Sequence, residues 1–160
     1  MKIRQWIVAA AAASLVAGTA FAQVPQYGPN VTLEQAKKAL AAAQADAVKR
    51  GWPMAIAVVD NAGHLVAFEK LDNTQNASVL IAQDKAVSSA MLRRSTKVIQ
   101  DGVAGGGAGL RLLALRYASP IEGGLPLVID GKIVGGIGVS GMTSDQDGVI
   151  AKTGADALLK

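Results

Sequence analysis

The chain has 160 residues, of which 51% are hydrophobic and 4% aromatic, and its formal net charge is +4 at pH 7. This length suits one domain with a buried core, and the mild positive surplus does not indicate a nucleic-acid-binding surface. The sequence contains no cysteine. Zinc–thiolate centres, iron–sulfur clusters and cysteine nucleophiles are therefore excluded.

The first 22 residues have the three parts of a secretory signal peptide. Lys2 and Arg4 provide the positive start, residues 6–16 are apolar, and Ala20-Phe21-Ala22 is a small-x-small cleavage site. The alternative is an uncleaved membrane anchor, but the apolar run is short for a bilayer span. We expect a periplasmic or secreted protein with no membrane span after cleavage, starting at Gln23 with a net charge of +2.

An extended tail is predicted over residues 23–31, which contain two prolines and a glycine. The remaining residues, 32–160, are expected to form one domain. Thr32 and Gln35 have the spacing of a capping box, which predicts the start of a helix. Gly51-Trp52-Pro53 predicts its end. Apolar positions recur at helical spacing between these signals, so the helix is amphipathic.

A hairpin and a second helix are predicted next. Apolar strands over residues 54–59 and 64–69 flank the turn sequence Asp60-Asn61-Ala62-Gly63. Helical spacing returns over residues 77–94, and one face of this helix carries only small side chains. These side chains are Ala82, Ala86, Ser89 and Ala90. Such a face can approach a neighbour closely, and that neighbour is either the sheet or a partner subunit.

The second half of the chain begins with a predicted glycine-rich loop over residues 101–109 and a short helix over residues 110–117. Asp130-Gly131 then lies between two apolar runs, which is a strong signal for a two-residue hairpin. Its strands are expected over residues 125–129 and 132–140.

A final helix is predicted to follow, capped by Ser144 with Asp147. Asp147 is interpreted as a carboxylate of its first turn. The order helix, hairpin, helices, hairpin, helix predicts a single α+β domain in which helices cover an antiparallel sheet.

Glycines interrupt the last predicted strand at positions 135, 136, 138 and 141. Glycine weakens a strand interior, so glycines there usually mark a bulge or a close backbone approach. We expect these glycines to permit close packing, with a ligand or another subunit against the strand.

The glycines belong to a longer pattern: Gly-Gly-Leu-Pro at 123–126, Asp-Gly-Lys at 130–132 and Val-Gly-Gly-Ile-Gly-Val-Ser-Gly at 134–141. This pattern resembles the HbpS/GlcG family of small haem-binding or haem-degrading-like proteins, and the resemblance extends upstream to residues 56–63 and 84–86. It implies a profilin-like fold, haem as the ligand and assembly into larger homo-oligomers.

Four residues are candidates for haem binding. His64 is the only histidine, so one subunit cannot form a multi-histidine metal site. His64 is either an exposed residue after a turn or an axial haem ligand. Arg93 and Lys97 either pair with haem propionates or form a solvated helix end. The resemblance places Thr96 near the ligand pocket, although threonine is a poor iron ligand.

Three residues are candidate acid–base groups if the protein is an enzyme: Lys85, Glu122 and Asp60. Catalysis of this kind needs titratable groups whose environments separate their pKa values. A buried Lys85 would suit that role, whereas an exposed one would only add solubility. Glu122 is either a mobile loop acid or a pocket carboxylate.

Three functions remain open at this point. The first is an exported haem- or tetrapyrrole-binding protein that works as a scavenger, buffer or sensor partner, in an assembly of four to eight copies. The second is a small enzyme acting on haem or a small organic acid. The third treats the glycine-rich strand as an oligomer interface and nothing more. A pocket that encloses Lys85, Thr96 and Glu122 would favour the first two.

Overall fold

The sheet consists of four antiparallel strands, and the computed structural model describes residues 24–159. The strands are β1 Ala55–Asp60, β2 Leu65–Lys70, β3 Gly124–Ile129 and β4 Lys132–Ser140. Their order across the sheet is β2–β1–β4–β3. The predicted signal peptide lies outside the described residues.

Helices cover both faces of this sheet. They are α1 Leu33–Arg50, α2 Ser78–Leu92, α3 Thr96–Ala104 and α4 Ser144–Asp156, with 3₁₀ segments at Gly107–Ala114 and Ala157–Leu159. Helices α1 and α4 share one apolar core with the sheet, and α2 forms a second core on the opposite face. The predicted α+β architecture is confirmed. Within the described part of the chain, no helix has the length and apolar character needed to cross a bilayer.

Local sequence signals account for the ends of several elements. Thr32 and Gln35 form the expected capping box at the start of α1, and Gly51 ends that helix with a φ of 67°. The turn between β3 and β4 has positive φ at both central residues, 51° at Asp130 and 73° at Gly131. This is what a type I′ hairpin requires.

Several predicted boundaries are wrong. The short helix expected over residues 110–117 is the 3₁₀ segment Gly107–Ala114. The glycine-rich loop was expected to start at residue 101, but α3 continues to Ala104. Gly102 lies inside this helix, where the Gly107–Ala114 segment packs closely on it: a Cβ at Gly102 would lie 2.8 Å from Leu112 Cδ1. The capping residue of α4 is Thr143, which pairs with Gln146, instead of Ser144 with Asp147.

The described segment before α1 contains no helix and is hydrogen-bonded to the domain. The Gly28 N–H donates to the carbonyl of Ile133 at 2.8 Å, and the Ile133 N–H donates to Gln26 at the same distance. The Tyr27 hydroxyl donates to the carbonyl of Met91 at 2.9 Å. These bonds attach the tail to the start of β4 and the end of α2.

The glycines of β4 permit α2 to lie directly on the sheet. A Cβ at Gly136 would lie 2.5 Å from the Ala86 carbonyl oxygen, and one at Gly138 would collide with the Ala82 carbonyl. The expected close packing is therefore confirmed. The neighbour is a helix of the same chain, whereas a ligand or another subunit was predicted. The small face of α2 is used inside the domain.

We predict that Gly136→Ala destabilises the protein, because the new methyl group must displace the backbone of α2. Overpacking of this kind costs about 1–3 kcal/mol, which thermal or urea unfolding of the purified domain would detect. Gly105→Ala is the matched control, since a Cβ there lies 3.5 Å from its nearest neighbours. Equal stability of the two variants would contradict the packing argument.

Candidate functional site

A buried ion pair lies at the junction of α2, β4 and α4. Lys85 Nζ is 2.7 Å from Asp147 Oδ2 and 3.0 Å from the Val139 carbonyl oxygen, to which it donates. The two side chains are only 1% and 3% exposed. These two contacts join α2 to β4 and α4, at sequence separations of 54 and 62 residues.

Burial acts on both charges of this pair. It lowers the pKa of Lys85 and raises the pKa of Asp147, because each charged form loses its hydration. The hydrogen bond between the two residues opposes both shifts, and the charge of Glu122 further favours protonated Lys85. Each charge is therefore tolerated in the core because its partner is present.

Asp147 does more than the first-turn role predicted for it. Its Oδ1 accepts the backbone N–H of Met142 at 3.1 Å, while Oδ2 accepts from Lys85. The carboxylate thus orders the turn before α4 and neutralises a lysine from the other face of the sheet. No local sequence pattern marks this pairing, because the two residues are 62 positions apart.

Gly123 and Gly124 form the wall that covers the ion pair. Gly123 has a φ of 125°, and a Cβ there would lie 2.8 Å from Lys85 Nζ. The Gly124 N–H donates to Thr96 Oγ1 at 2.9 Å. Thr96 is fully buried. Its hydroxyl therefore fixes the wall in place at the start of α3.

Glu122 lies at the outer side of this wall and is half-buried. Its backbone N–H donates to Gln100 Oε1 at 2.8 Å. Its carboxylate passes over α4, since a Cβ at Gly148 would lie 2.7 Å from Glu122 Oε1. Of the two interpretations left open by the sequence, the structure favours the pocket carboxylate.

Two adjoining cavities run along β3 from this point, and we call them together the β3 groove. The polar end has a volume of about 180 Å³ and includes Glu122, the two glycines of the wall and two lysines. The apolar end has a volume of about 300 Å³. Leu125 and Lys152 line both cavities. The apolar end is also lined by Pro126, Val128, Ala155, Asp156 and Leu159.

The two lysines of the groove are Lys97 and Lys152. Each forms an exposed ion pair within its own helix, Lys97 with Asp101 at 2.9 Å and Lys152 with Asp156 at 2.6 Å. The hydrogen bond to Asp101 raises the pKa of Lys97, so the ammonium group stays charged. Exposed pairs of this type contribute little to stability.

The structure brings some of the predicted site residues together. Lys97 and Glu122 line the polar end of the groove, and Thr96 and Lys85 lie behind its wall. The pocket is therefore next to Lys85 and Thr96 but does not enclose them. Sequence reasoning missed Lys152, because it belongs to a helix whose position beside β3 has no local signal.

Three other predicted residues lie elsewhere. His64 is 81% exposed in the first hairpin, where its Nδ1 is 3.2 Å from Asp60 Oδ2. Asp60 pairs with Gly135 in the β1–β4 ladder. Gly135 is four residues before Val139, whose carbonyl accepts from Lys85. Arg93 ends α2 and lies over the ring of Tyr27 at 5.5 Å. Asp60, His64 and Arg93 do not line the β3 groove.

Comparison with known sequences identifies relatives over most of the chain. The model of a family described as "Haem degrading protein HbpS-like" matches residues 31–156. Protein GlcG of Escherichia coli K12 is 39% identical over 107 residues, which cover 67% of this chain and 78% of GlcG. An uncharacterised 15.0 kDa protein of Citrobacter freundii is 35% identical over 130 residues, covering 80% of this chain and 92% of that protein.

Solved structures show the same fold. A double mutant of Streptomyces reticuli HbpS superposes with a TM-score of 0.75 at 30% identity, covering 94% of this chain and 99% of the other. PduOC in complex with heme gives a TM-score of 0.72 at 25% identity, covering 80% of this chain and 94% of PduOC. The sequence match and the fold agree. This chain belongs to the HbpS-like family.

Proposed function

We propose that this chain is an exported haem- or tetrapyrrole-binding protein that acts as a scavenger, buffer or sensor partner. Its membership of the HbpS-like family supports a haem-related role, as does its similarity to PduOC, whose structure is a complex with heme. The predicted signal peptide supports export to the periplasm or beyond the cell.

The observation that carries this proposal is the composition of the β3 groove. Its apolar end includes Leu125, Pro126, Val128 and Leu159, which suit the apolar body of a tetrapyrrole. Lys97 and Lys152 lie at the polar end. Their ammonium groups would form charge-assisted hydrogen bonds with the ligand's carboxylates, exchanging weak exposed pairs for contacts with the ligand.

Iron ligation has no evident donor in this groove. The described residues that line it include no histidine, methionine or tyrosine, and these are common protein ligands of haem iron. The hydroxyl of Thr96 already accepts a hydrogen bond from Gly124, and His64 lies in the distant hairpin. The proposed site therefore holds the tetrapyrrole by its apolar face and carboxylates, and its affinity does not depend on iron.

We predict that haemin and metal-free protoporphyrin IX bind the mature protein with affinities within about tenfold of each other. Titration would follow the Soret absorbance of haemin and the fluorescence of the porphyrin. The double variant Lys97→Gln, Lys152→Gln should weaken both ligands by about tenfold or more, since two charged contacts are lost.

The matched control for this titration is the double variant Lys37→Gln, Lys49→Gln, which removes two exposed charges of α1. It should bind as the wild type does. If neither ligand binds saturably to the folded protein, the proposed function is refuted. Binding of haemin alone would refute the iron-independent site.

We also propose that the protein assembles into a homo-oligomer of four to eight copies. The sequence argument for assembly relied on the small face of α2, which packs inside the domain. A different surface supports self-association. None of the residues of Gly107–Ala114 is buried, and Leu110 and Leu113 are 51% and 60% exposed. Apolar surface of this kind often marks an interface.

We predict that light scattering of the mature protein at micromolar concentration gives the mass of a tetramer to an octamer. Leu113→Glu should lower that mass, because a carboxylate at the interface would lose its hydration. Leu33→Glu alters a leucine of similar exposure, 53%, on α1 and should leave the mass unchanged. A monomer mass for the wild type would overturn this proposal and leave the tetrapyrrole site untouched.

A further inference from the structure

Another cavity, of about 320 Å³, lies between α2 and the segment that leads into β3. Helix α2 contributes Ile81, Asp84 and Val87, which recur every three residues along one side of the helix. The other wall is the segment 116–121. The cavity shares no lining residue with the β3 groove, so it is a separate place on the surface.

The wall formed by residues 116–121 is held in a defined position. The Ser119 N–H donates to Ser88 Oγ of α2 at 3.1 Å, in a buried contact. Immediately after the wall, the Glu122 N–H donates to Gln100 Oε1 of α3. The wall is thus fixed by hydrogen bonds at Ser119 and just beyond Ile121 before any ligand arrives, which lowers the ordering cost of binding.

Two opposite charges border this cavity. Asp84 and Arg116 are both exposed lining residues, and neither forms an ion pair with any of the described residues. The guanidinium of Arg116 lies over the ring of Tyr117, 5.3 Å from its centre. Stacking holds the guanidinium near the cavity while its N–H groups stay available to an acceptor.

The rest of the lining is mixed: Tyr117 and Ser119 carry hydroxyls, and the apolar side chains are Ile81, Val87, Ala118, Pro120 and Ile121. The volume is near the lower limit of ligand pockets, about 300–1,000 Å³, so the occupant is small. A ligand with only negative charges would face the carboxylate of Asp84. One with only positive charges would face Arg116. The combination suits a molecule that carries one charge of each sign on an apolar body.

We propose that this cavity binds a small zwitterion with an apolar side group, of the class of aliphatic amino acids and dipeptides. The ligand's carboxylate pairs with Arg116, which can bind it through two parallel N–H groups. The ligand's ammonium group pairs with Asp84, and its apolar group contacts Ile81 and Ile121. The proposal does not depend on tetrapyrrole binding, since the two sites share no residue.

Isothermal titration of the mature protein with L-leucine and with L-leucyl-L-leucine tests the proposal. We expect saturable binding of at least one of them at up to millimolar concentration. Isovalerate and isoamylamine keep the apolar group, but each lacks one of the two charges. The affinity for each should therefore be at least about tenfold lower. Absence of saturable binding of both probes, or equal binding of the singly charged compounds, would overturn the proposal.

Protein variants assign the binding to this cavity. Asp84→Asn and Arg116→Gln should each weaken the bound probe by about tenfold or more. Asp72→Asn and Arg94→Gln alter exposed charges outside the cavity and should have no effect. Equal losses in all four variants would overturn the proposal, as would displacement of the probe by haemin. Unchanged binding when haemin is added would support a separate site.

Discussion

The ion pair between Lys85 and Asp147 is the contact on which the arrangement of this domain depends. It joins α2, on one face of the sheet, to α4, on the other, and Lys85 also donates to the β4 backbone. Two buried charges are stable only while each has its partner. The connected helices line the two candidate sites. Helix α2 provides Asp84 to the cavity beside residues 116–121, and α4 provides Lys152 to the β3 groove.

Glycines make this contact possible. Gly136 and Gly138 remove the side chains that would separate α2 from β4, and Gly123 leaves room above Lys85 Nζ. The same loop continues through Gly124 to the hydroxyl of Thr96. These glycines weaken the strand and the loop locally. The tertiary contacts that they permit offset this loss of stability. In this domain Gly123 and Gly124 form the wall of the β3 groove.

Much of the fold follows from local patterns in the sequence. The capping box at Thr32 and the Asp-Gly turn at residue 130 each specify a local geometry that no distant residue alters. The site is only partly predictable: Lys97 and Glu122 are candidates from the sequence, whereas Lys152 becomes one only because the groove combines α3, β3 and α4. The extent of α3 is also not predicted, since Gly102 resembles a loop residue in the sequence but packs against Leu112 of the following segment. Chain contacts of this kind have no local signature.

A double-mutant cycle on Lys85→Met and Asp147→Leu tests the central role of the ion pair most directly. The free energy of unfolding in urea would be measured for the wild type, both single variants and the double variant. Each single variant leaves one buried charge unpaired, so we predict a loss of about 3–5 kcal/mol in each. The double variant should lose much less than the sum, because no buried charge remains. Losses that simply add would contradict the account.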